Sequence, residues 1–575
     1  MQKILSVMIT LPVAMLLSTK VAAQAAAYDR PTVNFMLLTH GDAYDEPTSK
    51  ALRQLPPEAK FYTNPLDVSV LHLPQAPRSS ALPAAWQQVL TELTRQNVAR
   101  KEVAAWYQRK PDGSMSMELI HRRGEFNATD ETFLMANATK RGVDELKDLG
   151  RKLIPKTYVV ALDYGDIGYS ASAESDIHTW KATVRAMVFR LQFGSEAENS
   201  VYDIWPDEQD SPEVLAEKSR RFEQLPFALE FVQQASVNAS ASALITGKVS
   251  GKQSSGLQGL AALALGVKSK EALLNEMIGK GYSNILNELE KKVAAFKVQA
   301  GVWELNPIRA KIGKKEGLKT DQRYYVLEYE QNRKGEQKAV RKAVVRVAGG
   351  VADNRTLATG KSEASSFYQI AGRRVEKGMT LEQRNDAGIG LLAGGGTGMN
   401  GNSALALLRT EFLTNKLVNL GVWPGLYVYI EGTMEAASYT LTDKFLDSYG
   451  LTDNANSSYS FTRADFGLGR GIYFWRNFSL SPYVGLGWEV VSVKEMSFET
   501  IYYKAGANFT INIYYPLQLV GGVSGLAYGT PTLKDEKDDD DAAVTDAAMP
   551  GKYSDIFSGR SSGGVSGFVG VRINF

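Results

Sequence analysis

The stretch that decides the fold is the last one: Gly563-Gly564-Val565-Ser566-Gly567-Phe568-Val569-Gly570-Val571-Arg572-Ile573-Asn574-Phe575. Every second residue from Val565 to Phe575 is apolar or glycine, while Ser566, Arg572 and Asn574 lie on the opposite face. A period of two over this length is a β-strand, since side chains alternate across a pleated backbone. The same pattern occupies residues 480–491. There Leu480, Pro482, Val484, Leu486, Trp488 and Val490 oppose Ser481, Tyr483, Gly485, Gly487 and Glu489. In residues 501–515 it sets Ile501, Tyr503, Phe509, Ile511 and Ile513 against Lys504, Asn508, Thr510 and Asn512. These runs exceed the roughly 5–6 residues of an average soluble strand. They suit a tilted strand crossing a bilayer, which needs about 9–11 residues.

In lipid, unpaired backbone groups have no water to turn to, so a spanning sheet has to close on itself. Eight strands are expected, at 387–397, 404–412, 425–439, 458–473, 479–494, 500–514, 516–528 and 564–575. Residues 403–413 stay ambiguous between strand and helix, because Leu405, Leu408 and Phe412 also fit one helix face. Short connections at Trp475-Arg476-Asn477 and Tyr515-Pro516 contrast with long ones at 441–457 and 529–563, as in outer-membrane barrels. The polar faces carry Glu431, Glu435, Arg463, Asp465, Glu489, Lys504 and Arg572, which can pair inside a closed barrel. Arg470 falls on the outward face near a turn, where it can snorkel to the interface. Eight strands leave an interior that side chains fill.

The terminal strand and its aromatic end resemble small outer-membrane β-barrel proteins of the OmpA/OmpX-like group. The resemblance covers about one third of the chain. It implies outer-membrane lipid as the barrel's surroundings and the barrel insertion machinery as a partner that reads Phe575. The soluble part here precedes the barrel, the reverse of the order in the group's namesake, so a peptidoglycan-binding role is not implied.

Upstream, Lys3, the apolar run 4–17 and Val21-Ala22-Ala23 read as a signal peptide at 1–23. The run is too short for a spanning helix, which needs roughly 20 residues. The exported chain then divides into a mixed α/β region at 24–300, a small β module at 301–385 and the barrel at 386–575: a multidomain α+β protein. Within the first region, Trp86, Val89, Leu90 and Leu93 mark one helix, and Val143, Leu146, Leu149 and Leu153 another. A third is expected from about Ser283. Residues 103–108 and 114–121, flanking Pro111-Asp112-Gly113, predict a hairpin. Strands are expected at 32–39, 158–162 and 179–193. In the module, 324–330 and 339–347 predict a hairpin about Arg333-Lys334-Gly335, with further strands at 367–370 and 375–381.

Composition narrows the function. The chain has 65 basic and 63 acidic residues, a formal charge of +2. That balance lacks the basic excess of a sequence-independent nucleic-acid binder. Cysteine is absent, which removes disulfides, thiolate nucleophiles and Cys-ligated metals. The four histidines, His40, His72, His121 and His178, all precede the barrel. His40 with Asp42 and Asp45, Asp176 with His178, and the carboxylates at Asp538–Asp541 are clusters that suggest metal binding, and none has a recognised ligand spacing. Thr359-Gly360-Lys361-Ser362 mimics the end of a P-loop but lacks its first glycine. Gly394-Gly395-Gly396-Thr397-Gly398 reads as a loop at the barrel rim. Asp538–Asp541 reads as a solvated acidic loop. No catalytic, cofactor-binding or metal-binding residue is assigned.

The expectation is an outer-membrane barrel that anchors a periplasmic region, binding an envelope partner as a scaffold rather than acting as an enzyme. The alternatives are a component of outer-membrane transport or secretion, and a periplasmic enzyme tethered by the barrel.

Overall fold

The computed structural model describes residues 28–575 apart from 74–84, 129–141, 173–175, 208, 246–265, 332–336, 356–362, 402, 419, 422, 453–454, 495 and 535–549. The expected signal segment, the 333–335 turn, the P-loop mimic at 359–362 and the acidic run 538–541 therefore lie outside the described residues.

The α/β region is built on a five-stranded sheet. Its strands are β1 (Thr32–Thr39), β2 (Val70–His72), β3 (Thr157–Ala171), β4 (Ile177–Gln192) and β5 (Ala228–Leu244), in the order β2-β1-β3-β4-β5. β1 runs parallel to β2 and β3, while β3, β4 and β5 are antiparallel. The helices are α1 (Asp45–Arg53), α2 (Trp86–Arg95), α3 (Val98–Trp106), α4 (Glu118–Asn127), α5 (Gly142–Arg151), α6 (Ser195–Tyr202), α7 (Pro212–Gln224) and α8 (Lys270–Lys292). α8 covers one face of the sheet through Leu273, Met277, Ile278, Ile285 and Leu289. α2 and α3 cover the other through Val89, Leu93, Val98, Val103 and Trp106.

Three expectations fail here. Residues 103–108 and 114–121 are not hairpin arms; they belong to α3, the turn after it and the start of α4. Val98, Ala99, Glu102, Val103 and Trp106 are buried together at helical spacing, and this tertiary face outweighs the β-propensity of the local run. The turn at Gly113, with φ +85°, is real but joins helices. The helix expected from Ser283 begins thirteen residues earlier at Lys270, where the Ser269 hydroxyl accepts the Ala272 N–H at 3.1 Å. Gly279 and Gly281 obscured its first half. Gly281 is a contact requirement, since a Cβ there would meet Val184 Cγ2 at 2.7 Å. The strand expected at 158–162 runs on to Ala171, past an irregularity between Gly165 and Gly168.

The β module has four main strands: β6 (Arg323–Gln331), β7 (Gln337–Val347), β8 (Ser365–Gly372) and β9 (Thr380–Gln383). Short strands at Gln299–Gly301, Glu304–Leu305 and Ile308–Ala310 complete a seven-stranded sheet. The β6–β7 hairpin is as expected, but within 375–381 only Thr380 and Leu381 join a strand.

The C-terminal part is a closed antiparallel barrel of eight strands: β10 (Ile389–Thr397), β11 (Ala404–Leu413), β12 (Leu426–Tyr439), β13 (Ser457–Arg470), β14 (Phe478–Val493), β15 (Met496–Tyr514), β16 (Leu517–Tyr528) and β17 (Gly563–Asn574). The stretch 403–413, open between helix and strand in the sequence, is strand from Ala404 to Leu413. The first strand pairs with the last, from Gly390↔Asn574 to Thr397↔Gly567, and closes the ring. The glycines at 394–396 are inside β10 rather than in a rim loop. They let the seam draw tight: a Cβ on Gly396 would fall 2.0 Å from the Gly567 carbonyl oxygen.

Candidate functional site: a lipid-facing barrel with a filled interior

Alternation sends the two strand faces to two environments. In β14, Ser479, Ser481, Tyr483, Gly487 and Glu489 are buried or half-buried, while Leu480, Val484 and Leu486 are exposed. Among the described residues, 34 large apolar side chains are exposed, and 29 of them follow residue 386. A water-facing surface does not carry a contiguous apolar belt of this extent. Trp423, Phe474, Trp475, Tyr514 and Phe575 gather at the end where the short turns lie. Such aromatic rings suit a membrane–water boundary.

The interior is polar and neutral in balance. Its buried charges are Arg409, Arg463, Lys504, Arg560 and Arg572 against Glu411, Glu431, Glu435, Asp465 and Glu489, five of each sign. All seven inward residues read from the sequence are here. Arg409, Glu411 and Arg560 were missed. The first two lie in the stretch left open between helix and strand, and Arg560 enters from a long loop that carries no periodicity.

The charges form three tiers. At the turn end, Arg572 donates to Glu411 at 2.9 Å and to Gln518 at 3.2 Å. In the middle, Arg409 Nε donates to Glu431 at 2.6 Å, and Lys504 bridges Glu431 and Asp465. Toward the loop end, Arg463 pairs with Glu435 and Glu489, and Arg560 donates to the other Glu489 oxygen at 2.8 Å. Tyrosines complete the packing by entering glycine notches. The Arg409 guanidinium lies 4.6 Å from the Tyr429 ring centre and 4.4 Å from that of Tyr483. A Cβ on Gly485 would come within 2.3 Å of the Tyr429 hydroxyl. The void beside Lys504 and Glu431 holds about 10 Å³, no more than one water.

Both mouths are covered. Over one, the loops after β12 and β16 pair through Leu441 and Phe557, and α10 (Asp443–Ser448) and α11 (Tyr553–Ile556) are part of the cover; the short helix α9 (Thr414–Leu417) is at the opposite end. Phe445, Leu446, Tyr553, Ile556 and Phe557 join Phe461, Val491 and Phe498 in one apolar cluster. Arg560 is the lid's polar tie, with its guanidinium 3.5 Å from the Phe461 ring centre. Under the other mouth sits the β module. Asp386, at the entry to β10, pairs with Arg346 of β7, lies 3.4 Å from Lys416 of α9 and accepts the Tyr515 hydroxyl at 3.0 Å. Asp321 accepts from Asn415 at 2.8 Å and from the Gly425 N–H at 3.0 Å. Arg346 also holds the Asp386 carboxyl well below the usual carboxylate range despite its burial. The cavity left between module and barrel floor is about 50 Å³.

The histidine clusters are structural ties. His40 Nε2 lies 2.9 Å from Asp163, whose other oxygen accepts from Arg185 at 2.5 Å. Asp45 accepts the backbone N–H groups of His40 at 3.1 Å and Gly41 at 2.7 Å. It thus fills the backbone cradle that a bound anion would need. His178 bonds Tyr169 and lies 3.2 Å from Asp176. Among the described residues no group of three or more His, Asp or Glu is placed to hold a metal ion, and no helix is long and apolar enough to cross a membrane.

No family model matches the chain, and no curated protein matches it. Among solved structures, it is similar to a major outer membrane protein from Thermus thermophilus, at 13% identity and a TM-score of 0.22, over 32% of this chain and 98% of that one. It is also similar to the outer membrane protease OmpT from Escherichia coli, at 10% identity and a TM-score of 0.13, over 45% of this chain and 94% of that one.

Proposed function

We propose that this chain is an outer-membrane protein whose barrel is an anchor, holding the preceding α/β region and β module in the periplasm as a platform for an envelope partner. The observation that carries this reading is the segregation of exposed apolar side chains to the barrel strands and their connections: 29 of the 34 among the described residues follow residue 386. The interior supports anchor over pore: charges pair within it and both mouths are covered. The β module meets the barrel through buried ion pairs at Asp386 rather than through a flexible linker. That suits a platform held in fixed register with the membrane. No catalytic role is assigned to either part.

Membrane fractionation combined with a heat-modifiability gel tests this. A closed barrel has no free strand edge from which to unravel, so it resists SDS until boiled. Recovery with the outer membrane and a mobility shift on boiling are expected. Recovery in the soluble periplasmic fraction would end the reading. Liposome swelling separates anchor from transport component, with no solute-dependent swelling expected for an anchor.

A further inference from the structure

Among the described residues, the five-stranded sheet of the α/β region has one long open edge. β5 spans 17 residues, and among the described residues its strand partner is β4 alone, apart from a single bridge at its end between Leu244 and Val267. The other border of the sheet is β2, three residues long. Which β5 groups face outward follows from the bonds at its end. The Leu244 N–H donates to Gly266 at 3.0 Å, and the Leu244 carbonyl accepts from Lys268 at 2.9 Å, away from β4. Backbone direction alternates, so Gln234, Ser236, Asn238, Ser240 and Ser242 also turn their N–H and C=O groups to the open edge. Among the described residues, the Asn238 and Gln234 carbonyls accept long side-chain bonds, 3.5 Å each, from Asn284 and Lys292 of α8.

Soluble proteins blunt such edges with Lys, Pro or bulges. β5 has a register shift near Val232, and beyond it, from Gln233 to Ala243, no charge and no proline. This leaves a regular segment bounded by the shift at one end and by the Leu244 pairing at the other. Its centre is Asn238. Turned about that residue, the segment matches itself: Gln234 meets Ser242, Ser236 meets Ser240, and Asn238 meets Asn238. All are small or uncharged, so self-pairing opposes no like charges. Gln234, Ser236, Asn238 and Ser240 are exposed or half-buried, and the alternating Ala235, Ala239 and Ala241 are already packed beneath α8.

We propose that β5 is a dimer interface, in which two copies of this chain pair their β5 edges antiparallel about Asn238 and join two five-stranded sheets into one. The five outward residues of each copy supply about ten hydrogen bonds across the two-fold axis. The pairing needs only the α/β region and does not depend on where the barrel resides, so its failure leaves the anchor reading intact.

The absence of cysteine makes the test clean. In the full chain purified in detergent, Asn238→Cys is expected to form a disulfide dimer under mild oxidation, since opposed residues bring their Cα atoms within about 5.5 Å. Ser236→Cys alone should not, because its copies lie about 13 Å apart along the strands, but mixed with Ser240→Cys it should cross-link. Ser240→Pro removes an outward N–H without touching the β4 ladder. It should convert the native dimer to a monomer by light scattering while the boiling shift of the barrel persists. A wild-type chain that stays monomeric through a concentration series would overturn the proposal. So would a dimer that Ser240→Pro leaves intact, or cross-linking by Ser236→Cys alone. A monomer whose β5 edge amides resist hydrogen exchange would mean that another segment covers the edge, and would overturn it as well.

Discussion

Replacing Glu489 by Gln keeps its shape and removes its charge. Glu489 is fully buried and receives Arg463 Nε at 2.6 Å, Arg560 Nη2 at 2.8 Å and the Tyr528 hydroxyl at 2.8 Å. Arg463 keeps a second carboxylate, Glu435. Arg560 has no second carboxylate among its ion pairs with described residues and would be left as a buried cation against aromatic faces. Leaving one partner of a buried pair uncompensated costs about 3–5 kcal/mol. Arg560→Met should cost less, about 1–3 kcal/mol, because Glu489 retains Arg463. In the double variant neither orphan exists, so its cost should fall below the sum of the single ones by at least about 1 kcal/mol. The assay is urea unfolding of the barrel in lipid vesicles, followed by tryptophan emission and by gel mobility. If Glu489→Gln costs under about 1 kcal/mol, or the two changes add within about 0.5 kcal/mol, Glu489 and Arg560 are not coupled as the geometry requires.

Three further outcomes are expected. Deleting Phe575 removes the bonds from its N–H to Ile389 at 2.9 Å and from Gly388 to its carbonyl at 3.1 Å, and outer-membrane levels should drop sharply while export continues; equal levels by immunoblot would contradict this. Burial pushes Glu102 up to about 7, even though Asn34 and Asn64 donate to it. A carboxyl raised in the folded state stabilises the fold below its unfolded pKa, and that contribution is lost as pH rises toward 7. Hydrogen exchange in β1 and α3 should therefore quicken from pH 4.5 to 7 beyond the intrinsic rate, and Glu102→Gln should flatten that trend. Protease added to intact cells should cut at Lys537 or Lys552 and spare the β6–β7 hairpin until the outer membrane is opened; early cleavage of the hairpin would place that region outside.

The barrel was the legible part of the sequence because one face of each strand meets lipid and the other a packed polar core. That contrast writes a period of two over the full strand length, as in Val565 to Phe575. Where it fades, so did the reading. β11 packs Leu405 and Leu407 inward beside Arg409, so its inner face is nearly as apolar as its outer one and the spacing also suits a helix. The α3–α4 pair shows the opposite failure. Val103 and Trp106 carry strand propensity, yet a core assembled from β1, β2 and β4 fixes them as helix. Asp386 and Asp321 gave no signal at all. Each is a lone carboxylate in a connecting segment, and its meaning depends on cations and amides brought from other elements by the fold.

The seam between β10 and β17 also sets a clock. The ring is completed by residues 563–574, joined to a strand begun near residue 389. Every other neighbouring barrel pair follows the order β10 to β17, and those joined by short turns, such as β14–β15 and β15–β16, cost little loop-closure entropy and can form early. The closing pair must recover the full length of the barrel in one step, and contacts of such range form slowly. Until then both seam strands are bare edges, and the glycines that let them approach give them little side-chain surface with which to find each other. A chain cut short before residue 563 has no smaller barrel to fall back on: seven strands remain with two open edges, each a row of unpaired backbone groups.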